Sequence, residues 1–465
     1  MGFVLSVLYF VTNFLTPVAI FGALAAYRIE LILAILILFV SLPKMKGSIV
    51  LKTPQSAALI GLAFAASMSA MVETRWAWGA IQTFLFFLPN AYGYYLVCMH
   101  CNTKKKLQVI VLMLLFVCFF VIAHGYIDLP HGDSGRGFFQ AGDTGSAETS
   151  QWNIEHPYLL LMSNDAGIMI YRLRGLGLIN DPNDFAQFVI CVIPLVFIFW
   201  FPGKMFRNIA FVLLPVSVLL YGTFLTHSRG ALLALMAMAA VAARRRIGTL
   251  PALLVAGGLF FAAMALNFTG GREISAGSGS DRTELWSECL QLLKSHPLFG
   301  VGPGTLSDYL GHTAHNSIMV CVTELGLVGF YFWCLFLFPT LRNILVIASP
   351  KKVSEAEENE PDAGLVPGTI SRVEAVNKAD INRMGRLLLL SFTGFLVAGW
   401  FLSRAFVMIF FLLGGMTEVV YEMALCRGII APRLPLARVL LFAGGLAISL
   451  VLLMYILLRT VNFMR

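Results

Sequence analysis

Thirteen apolar stretches divide this chain of 465 residues, and most are close to the length that crosses a bilayer. They run over residues 3–24, 28–43, 54–72, 76–99, 106–123, 184–201, 206–226, 230–243, 249–267, 316–341, 384–403, 405–424 and 436–458. A helix rising about 1.5 Å per residue needs about 20 residues to span the hydrocarbon layer, so the longer stretches suffice and the shorter ones nearly do. Inside lipid every backbone N–H and C=O must find its partner within the protein, which leaves helices or closed barrels. No period-two alternation of the barrel kind is present, so the pattern predicts an all-α polytopic membrane protein, a single integral domain over residues 1–465. Pro17 interrupts the first stretch, and the expectation is 12 or 13 crossings. Composition agrees: 12% of residues are charged, against about a quarter in a soluble domain.

The formal net charge of +8 sorts into short connections rather than a nucleic-acid-binding face. Lys44, Lys46 and Lys52, then Lys104 to Lys106, then Lys204 and Arg207, then Arg244 to Arg246 fall in alternate connections, and Lys351, Lys352, Arg427, Arg433 and Arg438 keep the register. Positive charge is retained on the cytoplasmic side, so these connections are expected there. Residues 342–383, with the acidic run SEAEENEPD, are then a flexible cytoplasmic loop. Two long connections, 124–183 and 268–315, fall on the outer face, together with all the histidines except His100. Met1–Leu24 lacks the charged start of a cleavable signal peptide and runs into further membrane segment. Most of the eight cysteines lie in apolar runs, where cysteine acts as a small hydrophobe, and Cys98-x-x-Cys101 has no second pair to complete a zinc set.

The outer connections carry the residues with chemical potential. Asp181-Pro182-Asn183-Asp184 suits a helix start, with Asp181 as cap, Pro182 in the first turn and Asp184 against the positive end of the dipole. Just before it, Arg172 and Arg174 are placed either to grip an anionic head group or to pair with Asp165, Asp181 or Asp184. Arg229 sits in a turn, Thr226-His227-Ser228-Arg229-Gly230, too short to need a charge for solubility; a guanidinium there suits bidentate phosphate binding, although it can also snorkel to water. Arg282 and Trp286 lie four apart on a predicted helix, one face of cation and ring that suits a phosphorylated sugar or mutual stacking. Gly300-Val-Gly302-Pro-Gly304 has no preceding strand and contains Pro303, so it reads as a tight turn and not a nucleotide loop.

His315 and Asn316 stand where the second outer connection enters an apolar helix, with His312 and Thr313 beside them. Glu324 follows nine residues after His315, about 13 Å deeper along that helix. A carboxylate at that depth requires a partner, for which a neighbouring arginine is expected, and this makes Glu324 a structural strut rather than a base. Gly326 and Gly329 allow close helix packing. The chain has no internal duplication and no matched pair of broken helices, which counts against an inverted-repeat transporter.

Taken together, His315-Asn316-x9-Gly326-x2-Gly329, Arg229-x3-Leu233, Arg282-x3-Trp286 and Pro297-x2-Gly300-x-Gly302 resemble the O-antigen ligase and Wzy polymerase superfamily of bacterial envelope glycosyltransferases. The resemblance runs from the second half of the first outer connection through Gly329, and Asp181-Pro-Asn-Asp184 is similar to its exopolysaccharide-associated members. It implies a GT-C-like architecture in the bacterial inner membrane with the active site facing the periplasm. It also implies transfer of a glycan from undecaprenyl pyrophosphate to an acceptor hydroxyl on lipid A core or another glycan or lipid, with inversion and without ATP, nucleotide sugar, metal or other cofactor. By the same resemblance His315 would be the base, and Arg229 with one of Arg172, Arg174 or Arg282 would stabilise the leaving pyrophosphate. Trp286 and Asn316 would contact substrate, and Glu324, Gly326 and Gly329 would hold the helix. A ligase is the first expectation, a polymerase the alternative, and a transporter or flippase of lipid-linked glycan the more distant one.

Overall fold

The computed structural model describes residues 1–129, 152–163, 168–271, 277–349 and 378–463. Most of loop 342–383, and Asp165, which was weighed above as an arginine partner, lie outside the described residues. In chain order the principal helices are α1 (Gly2–Leu15), α2 (Ile29–Ser41), α3 (Pro54–Thr74), α4 (Ala77–His100), α5 (Lys104–Asp128), α6 (Pro182–Val196) and α7 (Leu214–Leu225). They continue with α8 (Arg229–Ile247), α9 (Thr249–Ala265), α10 (Gly277–Ser295), α11 (Ser317–Ala348), α12 (Lys378–Gly399), α13 (Met408–Leu425) and α14 (Leu436–Phe463). Every apolar stretch of the sequence holds one of these helices. Among the described residues, eight spans are long and apolar enough to cross a membrane: α3, α5, α6 extended to Phe199, α7 with the turns leading into it, and α11 to α14. The chain is an all-α polytopic membrane protein.

The core is aromatic and centres on α13, which is buried along its length and mostly apolar, its Glu418 and Glu422 being paired internally. Phe410 stacks on Phe395 at 5.0 Å and meets Phe336 edge-on at 5.1 Å, tying α13 to α12 and α11. By contrast α14 turns most of its surface outward, with Leu441, Ile448 and Ile456 more than half exposed, as expected of a wall against lipid.

Three departures from the sequence reading shape the site. First, the connection before α6 contains an antiparallel hairpin, β1 (Leu159–Ser163) and β2 (Met169–Leu173), too short for periodicity to reveal. Second, α11 is not continuous. At Gly326 the backbone adopts φ 63° and ψ −170°, breaking the helix into two parts. Third, residues 297–302 fill that break. Val301 N–H donates to Thr323 O at 3.0 Å and Gly302 N–H to Glu324 O at 3.0 Å, while Leu327 N–H donates to Pro297 O at 2.9 Å and Val328 N–H to Leu298 O at 3.1 Å. The carbonyls ending the first half and the amides starting the second are thus paired by one loop, which is what makes a broken helix tolerable at membrane depth. Both glycines are sterically required here: a Cβ at Gly300 would overlap Glu324 O, and one at Gly326 would overlap Leu298 O.

Candidate functional site

Four connections meet at one end of the bundle: residues 181–184, 226–229, 312–317 and 400–404. Each is anchored by its own local chemistry. Asp181 caps α6 by accepting from Asn183 N–H at 2.8 Å, with Pro182 in the first turn and Asp184 behind it, as the sequence predicted. Ser228 caps α8 by accepting from Ala231 N–H at 3.4 Å, which leaves Arg229 as the first helical residue. Asn316 caps α11: its Oδ1 accepts from Ile318 N–H at 2.9 Å and Met319 N–H at 3.1 Å. Its Nδ2 is buried and has no hydrogen-bond partner among the described residues.

The turn at 400–404 organises the rest. Ser403 Oγ accepts from His315 N–H at 2.9 Å, and Ser317 Oγ donates to Leu402 O at 2.7 Å and accepts from Arg404 N–H at 3.1 Å. Phe401 carries the Arg282 guanidinium over its ring at 5.9 Å and packs against Gly230, beside Arg229. Trp400 meets Trp286 edge-on at 6.0 Å. Trp286 is buried and donates its indole N–H to Ala314 O at 2.7 Å, so it pins the segment carrying His315 rather than stacking on Arg282.

The electrostatics show which groups face one another. The His315 imidazole is held below its ordinary value by desolvation first, then by the positive charge of Arg282 and by His312, with Asp181 opposing. Burial first, and then the charge of Arg229, lowers Arg282 in turn. Arg229, Arg282, His315 and Asp181 therefore form one electrostatic cluster, drawn from positions as far apart as 181 and 315. His315 and His227 both have left-handed backbones, φ 47° and 49°. Non-glycine residues hold that conformation only where their surroundings impose it.

Arg172 and Arg174 lie behind this cluster. Arg172 is 2% exposed. It donates from Nε to Thr226 O at 2.8 Å and from Nη2 to Asn183 Oδ1 at 2.9 Å, joining the hairpin to two of the converging turns. Arg174 donates to Pro157 O at 3.1 Å and Asn153 O at 2.9 Å, within its own connection. Asp184 pairs with Arg404, a residue the sequence reading passed over. The signal was present: Arg404, like Arg229, is a charge in a turn too short to need one.

Glu324 is also held differently from the expectation. Its carboxylate faces the backbone N–H groups of Gly304 and Leu306, and among the described residues no arginine forms an ion pair with it. The loop that fills the helix break brings those donors to it, and Ser69 Oγ donates to Glu324 O at 2.6 Å. Gly329 faces the Leu325 side chain folded back at the break, leaving room for it. Between the break, the 400–404 turn and α4 lies a cavity of about 460 Å³, lined by Glu324, Thr313, Ser403 and Arg404 and by Gln82 and Asn90. Phe86 and Phe87 of α4 form part of its apolar wall. Among the described residues no group of three or more His, Cys, Asp or Glu is placed to hold a metal ion.

Residues 214–334 match the family model described as Wzy_C, O-Antigen ligase. The matched stretch contains Arg229, Arg282, Trp286, His315, Asn316, Glu324, Gly326 and Gly329, and it bears out the resemblance to the O-antigen ligase and Wzy superfamily. Arg172, Arg174 and the 400–404 turn lie outside it. A search of curated proteins found none that matches. The family supports, in general terms, an enzyme of the O-antigen ligase or polymerase type that works on a lipid-linked glycan and a glycan or lipid acceptor in the membrane.

Proposed function

We propose that the protein transfers a glycan from a polyprenyl pyrophosphate, undecaprenyl pyrophosphate in a bacterial inner membrane, to an acceptor hydroxyl at its outer face. The observation that carries this reading is the succession of Arg229 beside Arg282 and Arg282 beside a desolvated His315. A pyrophosphate carries the negative charge that guanidinium groups grip through paired N–H donors. In the reaction the acceptor oxygen attacks the anomeric carbon while the bond from that carbon to the phosphate oxygen breaks. The pyrophosphate leaves with the electron pair, and the acceptor proton passes to the His315 imidazole. Negative charge grows on the leaving group in the transition state, where fixed guanidinium groups stabilise it most. Desolvation and Arg282 keep the imidazole neutral to lower pH and so ready to accept a proton. Attack opposite the leaving group inverts the anomeric centre. Arginine charge takes the place that a divalent metal fills in other transferases, and no ATP is needed because the donor is already activated.

Within this scheme Arg172 positions the turns that carry Arg229 and Asp181, Arg174 braces the connection that holds Arg172, and Trp286 positions His315. Asn316 offers a buried amide donor beside the base. Glu324, Gly326 and Gly329 hold the helix mouth. The ligase reading takes lipid A core or another lipid as acceptor. A polymerase, which would use a second lipid-linked repeat, is the alternative. Purified protein in liposomes with lipid-linked glycan and each acceptor tests both. Loss of glycan from the carrier with a new acceptor product is expected; movement of the intact lipid-linked glycan without bond cleavage would replace the transferase with a flippase.

A further inference from the structure

At the ends of α8 and α12 remote from His315, a recess of about 830 Å³ is lined by Arg245, Arg246, Arg383 and Arg386. Its other walls are apolar, including Ala239, Val241, Leu389 and Leu390, with Trp200 at one side. A second recess of about 270 Å³ shares Trp200 and Arg383 with the first and adds Lys104, Lys105 and Arg207. Neither has a carboxylate among its described lining residues. Among the described residues Asp380 adjoins them, and it is already bonded by Lys104 at 2.7 Å and Arg383 at 3.0 Å. Arg383 also donates to Trp200 O at 2.8 Å, while its buried Nε has no partner among the described residues.

Charge that serves only to orient a membrane protein needs nothing more than water. Here the cations instead line apolar-walled recesses between helices, the chemistry that takes a lipid head group with its acyl chains. We propose that this face binds an anionic phospholipid bearing two phosphates, of the cardiolipin class. One phosphate lies with Arg246 and Arg386, the other with Lys105 and Arg207, and both flank Arg383 and Trp200. A lipid with a single phosphate fills only one of the two recesses. This site lies at the opposite end of the bundle from the proposed transfer chemistry and does not depend on it.

The test titrates full-length protein in detergent with cardiolipin, phosphatidylglycerol and inorganic phosphate, and counts bound lipid by native mass spectrometry. Cardiolipin is expected to bind about tenfold more tightly than phosphatidylglycerol, since it alone engages both recesses. The R246Q/R386Q pair should weaken cardiolipin about thirtyfold, from roughly fivefold for each cation removed. R246K/R386K should retain most of the binding, and K44Q/K46Q, basic residues outside both recesses, should leave it unchanged. Thermal unfolding without lipid checks that the glutamine pair is folded. Equal affinity for phosphatidylglycerol overturns the two-phosphate assignment. Equal loss in K44Q/K46Q reduces the effect to diffuse charge, and displacement of cardiolipin by inorganic phosphate makes the face a simple anion site. Either of these outcomes overturns the proposal.

Discussion

Arg282 and Arg433 are both partly buried arginines at opposite ends of this bundle, and their surroundings act on them in opposite directions. At Arg282, burial and the neighbouring Arg229 both work against the charge. At Arg433, burial works against it too, but Glu418 and Glu422 more than compensate and raise the group above its ordinary value. Arg433 donates to Glu418 at 2.7 Å and Glu422 at 3.0 Å, while Glu418 also accepts from Gln55 at 2.6 Å and Asn343 at 2.5 Å. The second network completes itself. The first places one cation beside another and beside a histidine. A polar cluster in a membrane protein is informative through its charge balance more than through its composition.

The comparison predicts different failures at the two ends. His315→Ala should lower glycan transfer by about 10²–10⁴-fold, and Arg229→Ala by about 10²–10³-fold, with insertion and thermal unfolding unchanged. Full transfer by the His315 variant would remove the proposed base. Arg433→Ala should instead destabilise the fold by about 3–5 kcal/mol, since it strands two buried carboxylates. A stable but inactive Arg433 variant would erase the distinction between the ends.

Smaller effects are expected at the helix break. Gly326→Ala combines a left-handed backbone with overlap on Leu298 O and should cost about 1–3 kcal/mol, read as a lower unfolding temperature. Glu324→Gln removes the charge that faces the Gly304 and Leu306 amides, so stability should fall by about 1–2 kcal/mol, read as a lower folded yield. A normally folded but inactive Glu324 variant would give that carboxylate a chemical role. The smallest expected change is a displaced pH profile. Transfer requires neutral His315, so activity rises with pH through its folded-state value, which lies below the ordinary 6.5. Arg282→Gln removes one cause of that lowering, so the acid limb should move to higher pH; a limb that stays in place would separate Arg282 from His315.

Local pattern was enough for the architecture. Transfer free energy adds residue by residue along an apolar stretch, so the thirteen stretches, the helix starts at Asp181 and Asn316, and the amphipathic face of Arg282 and Trp286 were legible in order along the chain. Spacing also picked out Arg229 and His315, because a charge or a titratable group at a helix mouth is unusual wherever the rest of the chain lies. What tertiary structure decided was who faces whom. No local rule could show that the 400–404 turn would hold His315, carry Arg282 on Phe401 and answer Asp184 with Arg404. Nor could it show that Gly326 breaks its helix, since the break is stable only with residues 297–302 paired into it. Nor did it show that Glu324 would face loop amides in place of an arginine. These are pairings between segments far apart in sequence, and their energy exists only after the chain has closed the loops that bring them together.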